Sequence, residues 1–222
     1  MNTPDAETSN PPHHDAVLFD WDGCLANTLE IWIEAVRVGF QTRSMELSRQ
    51  QIISDTIIEW GKLHKYGITD SQAFALEATQ YIEKNVLTIE LNPQVPEVLK
   101  QLDGMGKKMA VVTSSRPELV LPLLKHHNIK QYFATVVTCM DVRKIKPDPE
   151  PLYKALSQMN ITPEKAMMVG DTQNDIIGGK RAGTTTVMYY PSAHELIYDK
   201  DRLLGLNADY YIRNLQDVIG LV

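Results

Sequence analysis

The sequence predicts an α/β fold, a parallel sheet with helices on both faces, interrupted once by an all-helical insert. Two observations carry this. Apolar runs of four or five residues recur without polar alternation and are separated by stretches of helical spacing, the pattern of strands buried on both sides. Between the first run and the second, the long stretch Asn27–Leu91 shows helical spacing only.

From the amino terminus, MNTPDAETSNPPHHD, residues 1–15, is polar, contains proline and lacks an apolar core segment, so it reads as a disordered tail rather than a signal peptide. His13 and His14 read as a solvated pair within it. Ala16–Phe19 is the first strand. In the insert, Leu29, Trp32, Ile33, Val36 and Phe40 share one helical face. Ser48 with Gln51 and Thr69 with Gln72 have capping-box spacing and open two further helices. Phe74, Ala78, Tyr81, Ile82 and Val86 give the third its apolar face. Asn92–Pro96 is the return hinge, with Pro96 suited to a first helical turn.

Strands are then expected at Met109–Val112, Thr135–Val137, Met167–Val169 and Thr185–Met188, with helices at Glu118–His127 and Leu152–Met159. ADYYI and NLQDVIGLV read as a last strand and a terminal helix. The expected organisation is a tail over 1–15, a Rossmann-like core over 16–26 and 92–222, and a helical insert over 27–91.

Bulk properties narrow the function classes. The chain has 222 residues, 43% of them apolar, and a net charge of −6. That balance offers no basic surface for nucleic acid or an anionic membrane, and no apolar run approaches the ~20 residues of a bilayer span. Cys24 and Cys139 form neither a disulfide framework nor a zinc cluster, which fits a reducing compartment. A cytoplasmic monomer or homodimer is expected.

The residues with chemical potential sit just past the strand ends. AVLF is succeeded by Asp20 and Asp22, MAVV by Thr113 and Ser114, TVVT and a loop by Lys146, and MMVG by Asp171 and Asp175. In a parallel sheet the strands' carboxyl ends share one edge, where ligands bind. Acids, a hydroxyl and a cation gathered there suit Mg²⁺ and a phosphoryl group. Carboxylate oxygens are the ligands Mg²⁺ prefers, and lysine, hydroxyl and backbone N–H groups offset phosphate charge.

The order DWDG, VVTSS, IKP, VGDTQND resembles the haloacid-dehalogenase superfamily, most of whose members hydrolyse phosphomonoesters. The helical insert after the first motif is similar to the cap of its phosphoglycolate phosphatase and beta-phosphoglucomutase branch. The resemblance implies Asp20 as the nucleophile that forms an aspartyl-phosphate. Asp22 would be the general acid and then the base. Thr113 and Ser114 would hold phosphate oxygens and Lys146 would neutralise charge. Mg²⁺ would be bound by Asp20, the Asp22 carbonyl and Asp171, with Asp175 acting through water or by orienting the others. The substrate implied is a small phosphorylated metabolite, phosphoglycolate- or sugar-phosphate-like.

Asp22 favours a phosphoester over a haloacid, because halide departure needs no proton. Trp32 stands where the mutase branch has histidine, which makes a phosphomutase the lesser reading. Cys24 replaces the family's usual threonine.

Other readings stay open at single residues. Asp20 and Asp22 could be turn residues, and Asp175 could be a cap partner of Thr172. Ser115 with Glu118 has capping-box spacing and reads as structural. A phospho-receiver uses similar groups, but on a shorter chain without an insert. Trp32, Arg43, Arg49, Trp60 and Lys62 are the insert's candidate specificity contacts.

Overall fold

The structure, a computed structural model, describes residues 13–57 and 60–222. Expectations for residues 1–12 and for the Trp60 side chain lie outside what it describes. Six strands form one sheet: β1 (Ala16–Phe19), β2 (Lys108–Val112), β3 (Thr135–Val137), β4 (Ala166–Gly170), β5 (Thr185–Tyr189) and β6 (Tyr210–Ile212). Their order is β3-β2-β1-β4-β5-β6, and every neighbouring pair is parallel. The expected α/β class is what is found. The strands coincide with the apolar runs because a strand covered on both faces must be apolar at every position.

Register matters more than strand count. Phe19 lies opposite Val111 of β2 on one side and Val169 of β4 on the other. The chain therefore leaves three adjacent strands at nearly one level, and the strand order reverses between β1 and β4. That is where an open parallel sheet offers a ligand crevice.

Eight α-helices are described: α1 (Leu29–Gln41), α2 (Arg49–Ile52), α3 (Ser71–Asn85), α4 (Val95–Gly104), α5 (Pro117–His126), α6 (Glu150–Met159), α7 (Gln173–Ala182) and α8 (Lys200–Leu204). Alternate residues of β1, β2 and β4 feed opposite cores. Val17, Phe19, Met109, Val111, Met167 and Val169 meet α4 and α5 on one face. Ala16, Leu18, Ala110, Val112, Ala166 and Met168 meet α6 on the other.

Between β1 and α4 the described residues are helical, with their own cluster of Leu29, Ile33, Val36, Phe40, Ile52, Ile53, Leu63, Ile68 and Phe74. Gly39 brings α1 against α3, since a Cβ there would stand 2.9 Å from the Phe74 ring. Two details differ from expectation. The helix begun by the Ser48–Gln51 box runs as α2 for a single turn, then widens into a π-helical turn over Ile53–Ile57. Ile52, Ile53, Thr56 and Ile57 are β-branched and poor at sustaining α geometry, and the Thr56 hydroxyl bonds back to the Ile52 carbonyl. The third helix is capped by Asp70 rather than Thr69, Asp70 Oδ1 accepting from Ala73 N at 2.9 Å. Aspartate is the better N-cap of the two.

Both chain ends also depart from expectation. The last segment forms 3-10 turns over Leu215–Leu221 instead of an α-helix. His14 is buried rather than solvated. Its ring nitrogens contact Thr185 Oγ1 at 2.8 Å and the Leu221 carbonyl at 3.1 Å, and Lys107 Nζ donates to its carbonyl at 2.7 Å. Asp15 N donates to Lys165 O at 2.7 Å. His14 and Asp15 are thus held against the edge opposite the crevice.

Candidate active site

At the carboxyl ends of β1 and β4, Asp20 and Asp171 face each other, joined by Asp175 from the first turn of α7. One carboxylate oxygen from each lies within 4.8 Å of the others. All three are buried. Lys146, itself buried, donates to Asp20 Oδ1 at 2.6 Å, to Asp175 Oδ1 at 2.6 Å and to the Val112 carbonyl at 2.8 Å. Residues 126 positions apart are thereby joined by one ammonium.

The electrostatics result from crowding. Burial, then Asp175, push the Asp20 carboxyl up to about 7 despite Lys146. Burial, with Asp20 and Asp175, raises Asp171 well above the carboxylate range. For Lys146 burial alone would lower the ammonium, but Asp175 and Asp20 outweigh it and hold it charged. Three acids against one lysine leave unbalanced negative charge, and a divalent cation is the natural complement.

The donor set fits such an ion. It is all carboxylate oxygen, the chemistry Mg²⁺ takes, and Asp171 Oδ1 is a fully buried acceptor with no hydrogen-bond partner. Gly23 clears the space: its φ is +75°, and a Cβ there would stand 2.2 Å from Asp171 Oδ2. Only glycine combines that backbone with that approach. Asn92 fixes the same loop, donating to the carbonyls of Gly23 at 2.9 Å and Cys24 at 2.7 Å. Cys24 is buried, its thiol pushed up by burial, which leaves it inert as a nucleophile.

Asp175 unites its two possible roles. Its Oδ2 accepts from Thr172 N at 3.0 Å and Thr172 Oγ1 at 2.7 Å, completing a capping box, while its Oδ1 meets Lys146. Both of its oxygens are thus engaged within the protein.

Asp22 stands apart from the acid cluster. Half-buried, it accepts from Trp32 Nε1 of α1 at 2.9 Å and from Ser115 Oγ at 2.5 Å. Ser115 is therefore not the helix cap its spacing suggests. The helix begins at Pro117 behind Arg116, and the hydroxyl turns to Asp22 instead. Thr113 is buried with Oγ1 accepting from Ser115 N at 3.0 Å, whereas Ser114 is exposed.

Two groups at the site carry no signal in the sequence. Tyr198 OH donates to Asp171 Oδ2 at 2.9 Å, and His194 Nδ1 stands 3.7 Å from the same oxygen. Burial lowers His194 to about 4, so the imidazole is neutral there. Of the insert's expected contacts, Arg43 pairs with Glu77 and Arg49 with Glu30, both within the insert. Lys62 lines a cavity of about 600 Å³ beside α7. Among the described residues no helix is long and apolar enough to cross a membrane.

Comparison with known proteins gives the family and the fold. The family model for haloacid dehalogenase-like hydrolases matches residues 17–189. A protein named pyrophosphatase PpaX from Bacillus mycoides (strain KBAB4) is 32% identical over 217 residues, covering 94% of this chain and 96% of its own. A solved structure described as a predicted phosphoglycolate phosphatase from Haemophilus somnus 129pt superposes with a TM-score of 0.79 at 22% identity, covering 94% of this chain and 97% of that one. CbbY from Rhodobacter sphaeroides, solved in complex with phosphate, gives 0.74 at 19% identity over 92% and 96%. These structural likenesses speak for the fold, and the sequence matches for the family. The chain belongs to the haloacid dehalogenase-like hydrolases and is an enzyme of their phosphatase type.

Proposed function

We propose that the protein is a Mg²⁺-dependent phosphatase that works through an aspartyl-phosphate on a small phosphorylated metabolite. The observation that carries this is the convergence of Asp20, Asp171 and Asp175 within 4.8 Å around Lys146. Lys146 occupies Asp20 Oδ1, which leaves Oδ2 to attack phosphorus and form the acyl phosphate. Asp20 and Asp171 would hold the ion, which when bound would neutralise the charge gathered by the carboxylates and the phosphoryl group.

Asp22 gives its proton to the departing oxygen and then takes one from the water that opens the acyl phosphate. Trp32 and Ser115 fix it for that exchange through one donor on each oxygen. Trp32 offers a donor only, which weighs against the phosphomutase alternative. Thr113 and Ser114, after β2, supply hydroxyl and backbone donors to the phosphoryl oxygens. Phosphoglycolate- and sugar-phosphate-like esters are the substrates expected from the sequence, and the name of the PpaX relative adds pyrophosphate.

The test is phosphate release from a panel of these compounds with and without Mg²⁺. Turnover that stops in excess chelator and in Asp20→Asn is the expected result. Turnover unchanged by chelator, or Asp20→Asn within tenfold of the parent, would overturn the assignment, since ~1.4 kcal/mol is too small for loss of a nucleophile.

A further inference from the structure

Tyr198 reaches the acid cluster from a segment that carries none of the four motifs. Its hydroxyl donates to Asp171 Oδ2 at 2.9 Å, while Asp171 Oδ1, equally buried, has no partner. A carboxylate pinned at one oxygen and bare at the other is how a metal ligand is oriented from behind. Gly23 also closes on the pinned oxygen, a Cβ there standing 2.2 Å from Oδ2. The rotation of this carboxylate is thus fixed by contacts on Oδ2 alone.

The segment bearing Tyr198 comes after β5. It turns through 3-10 geometry over Ser192–Leu196, and the N–H groups of Ile197 and Tyr198 both donate to the His194 carbonyl at 2.9 Å. The His194 ring meets Tyr198 edge-on at 5.4 Å between centroids and Tyr189 at 5.8 Å. Tyr198 is therefore braced by the His194 ring, which itself meets Tyr189. Ile197, one residue before it, is buried in the insert's own cluster with Ile33, Phe40, Ile52 and Ile53. Tyr198 packs against that cluster and also against the one beneath α7, with Ile176, Met188 and Leu203.

We propose that Tyr198 is a positioning residue for the metal site. From a strap seated on the insert, it holds Asp171 with Oδ1 turned to Mg²⁺, so affinity for the ion depends on how the insert sits. The inference rests on the phosphatase reading above. A half-buried tyrosine would also seek an acceptor for its hydroxyl, so the test must move the ion and not only the fold.

Tyr198→Phe keeps the ring and removes the hydroxyl. Calorimetric titration of the metal-stripped protein with Mg²⁺ is expected to show binding about 10–100-fold weaker than in the parent, the range found when groups behind metal ligands are removed. Turnover should fall at limiting Mg²⁺ and recover as Mg²⁺ is raised, which a merely structural role would not produce. Ile197→Ala, which loosens the strap from the insert and touches no acid, should weaken Mg²⁺ binding in the same direction by a smaller factor.

Binding by folded Tyr198→Phe within twofold of the parent overturns the inference and leaves the phosphatase reading intact. Absence of Mg²⁺ binding by the parent overturns both. Should Tyr198→Phe not fold, Ile197→Ala decides, and an unchanged dissociation constant overturns the inference.

Discussion

Lys146 is one cation set between two carboxylates at 2.6 Å each, out of reach of water. Replacing it by glutamine removes the cation that Asp20 and Asp175 share, and breaking a buried pair costs about 3–5 kcal/mol. Lys146→Gln should melt well below the parent, and Mg²⁺ should restore more of the loss than it adds to the parent; scanning calorimetry with and without the ion measures both. Gly23→Ala acts on the same cluster from the loop side. Its Cβ would collide with Asp171 at 2.2 Å on a backbone of φ +75°, so loss of Mg²⁺-stimulated phosphate release should exceed loss of folded protein by circular dichroism. Lys146, in a loop well past β3, stood out only through the IKP resemblance to the family, whereas Asp20 and Asp171 were legible because each comes just after a strand end, where a charged residue interrupts apolar sequence. Ser115 and Tyr198 were not. A serine three before a glutamate looks like a cap, and a tyrosine within HELIYD looks like filler. Their partners lie 93 and 27 residues away and are set by tertiary contact alone.

At the scale of elements the sheet was the most readable part, since full burial imposes an all-apolar strand and each run stood out. The insert was readable in helical content and less so in detail, because β-branched residues after Ser48 and the choice between Thr69 and Asp70 turn on fractions of a kcal/mol. The join between insert and core is held by Asn92, whose amide serves two carbonyls of the loop carrying Gly23 and Cys24. Asn92→Ala would leave both buried acceptors unpaired, costing about 1–3 kcal/mol each at most. Urea denaturation should show a lowered midpoint with unchanged slope, and Mg²⁺-dependent turnover should drop with it. Equal midpoints would mean that the loop is held by other contacts.

For the whole molecule, the insert is not a loosely hung lobe: Ala35, Ala78, Ile82, Val86 and Ile89 share a continuous core with β1 and α5. The arginine–glutamate pairs on its surface are exposed and contribute little to stability. The edge opposite the crevice carries a pH term instead. Burial lowers the His14 imidazole below its usual 6.5, with Lys107 and His13 adding to that and the Leu221 carbonyl and Asp15 opposing it. The folded state then binds fewer protons than the unfolded chain below about pH 6.5. Stability is accordingly full above that pH and lost as pH falls. His14→Gln should be less stable than the parent at pH 8 and show a flatter decline toward pH 5.5, read from melting temperatures. A parent and variant with parallel declines would remove His14 from the account.

The His14–Leu221 contact has a topological consequence, since it makes the first and last of the described residues near neighbours. A short linker from Val222 to His13, replacing residues 1–12, would close the polypeptide into a ring that could be reopened at an exposed turn such as the one at Gly106. Such a rearranged polypeptide should assemble the same acid cluster from a different starting residue.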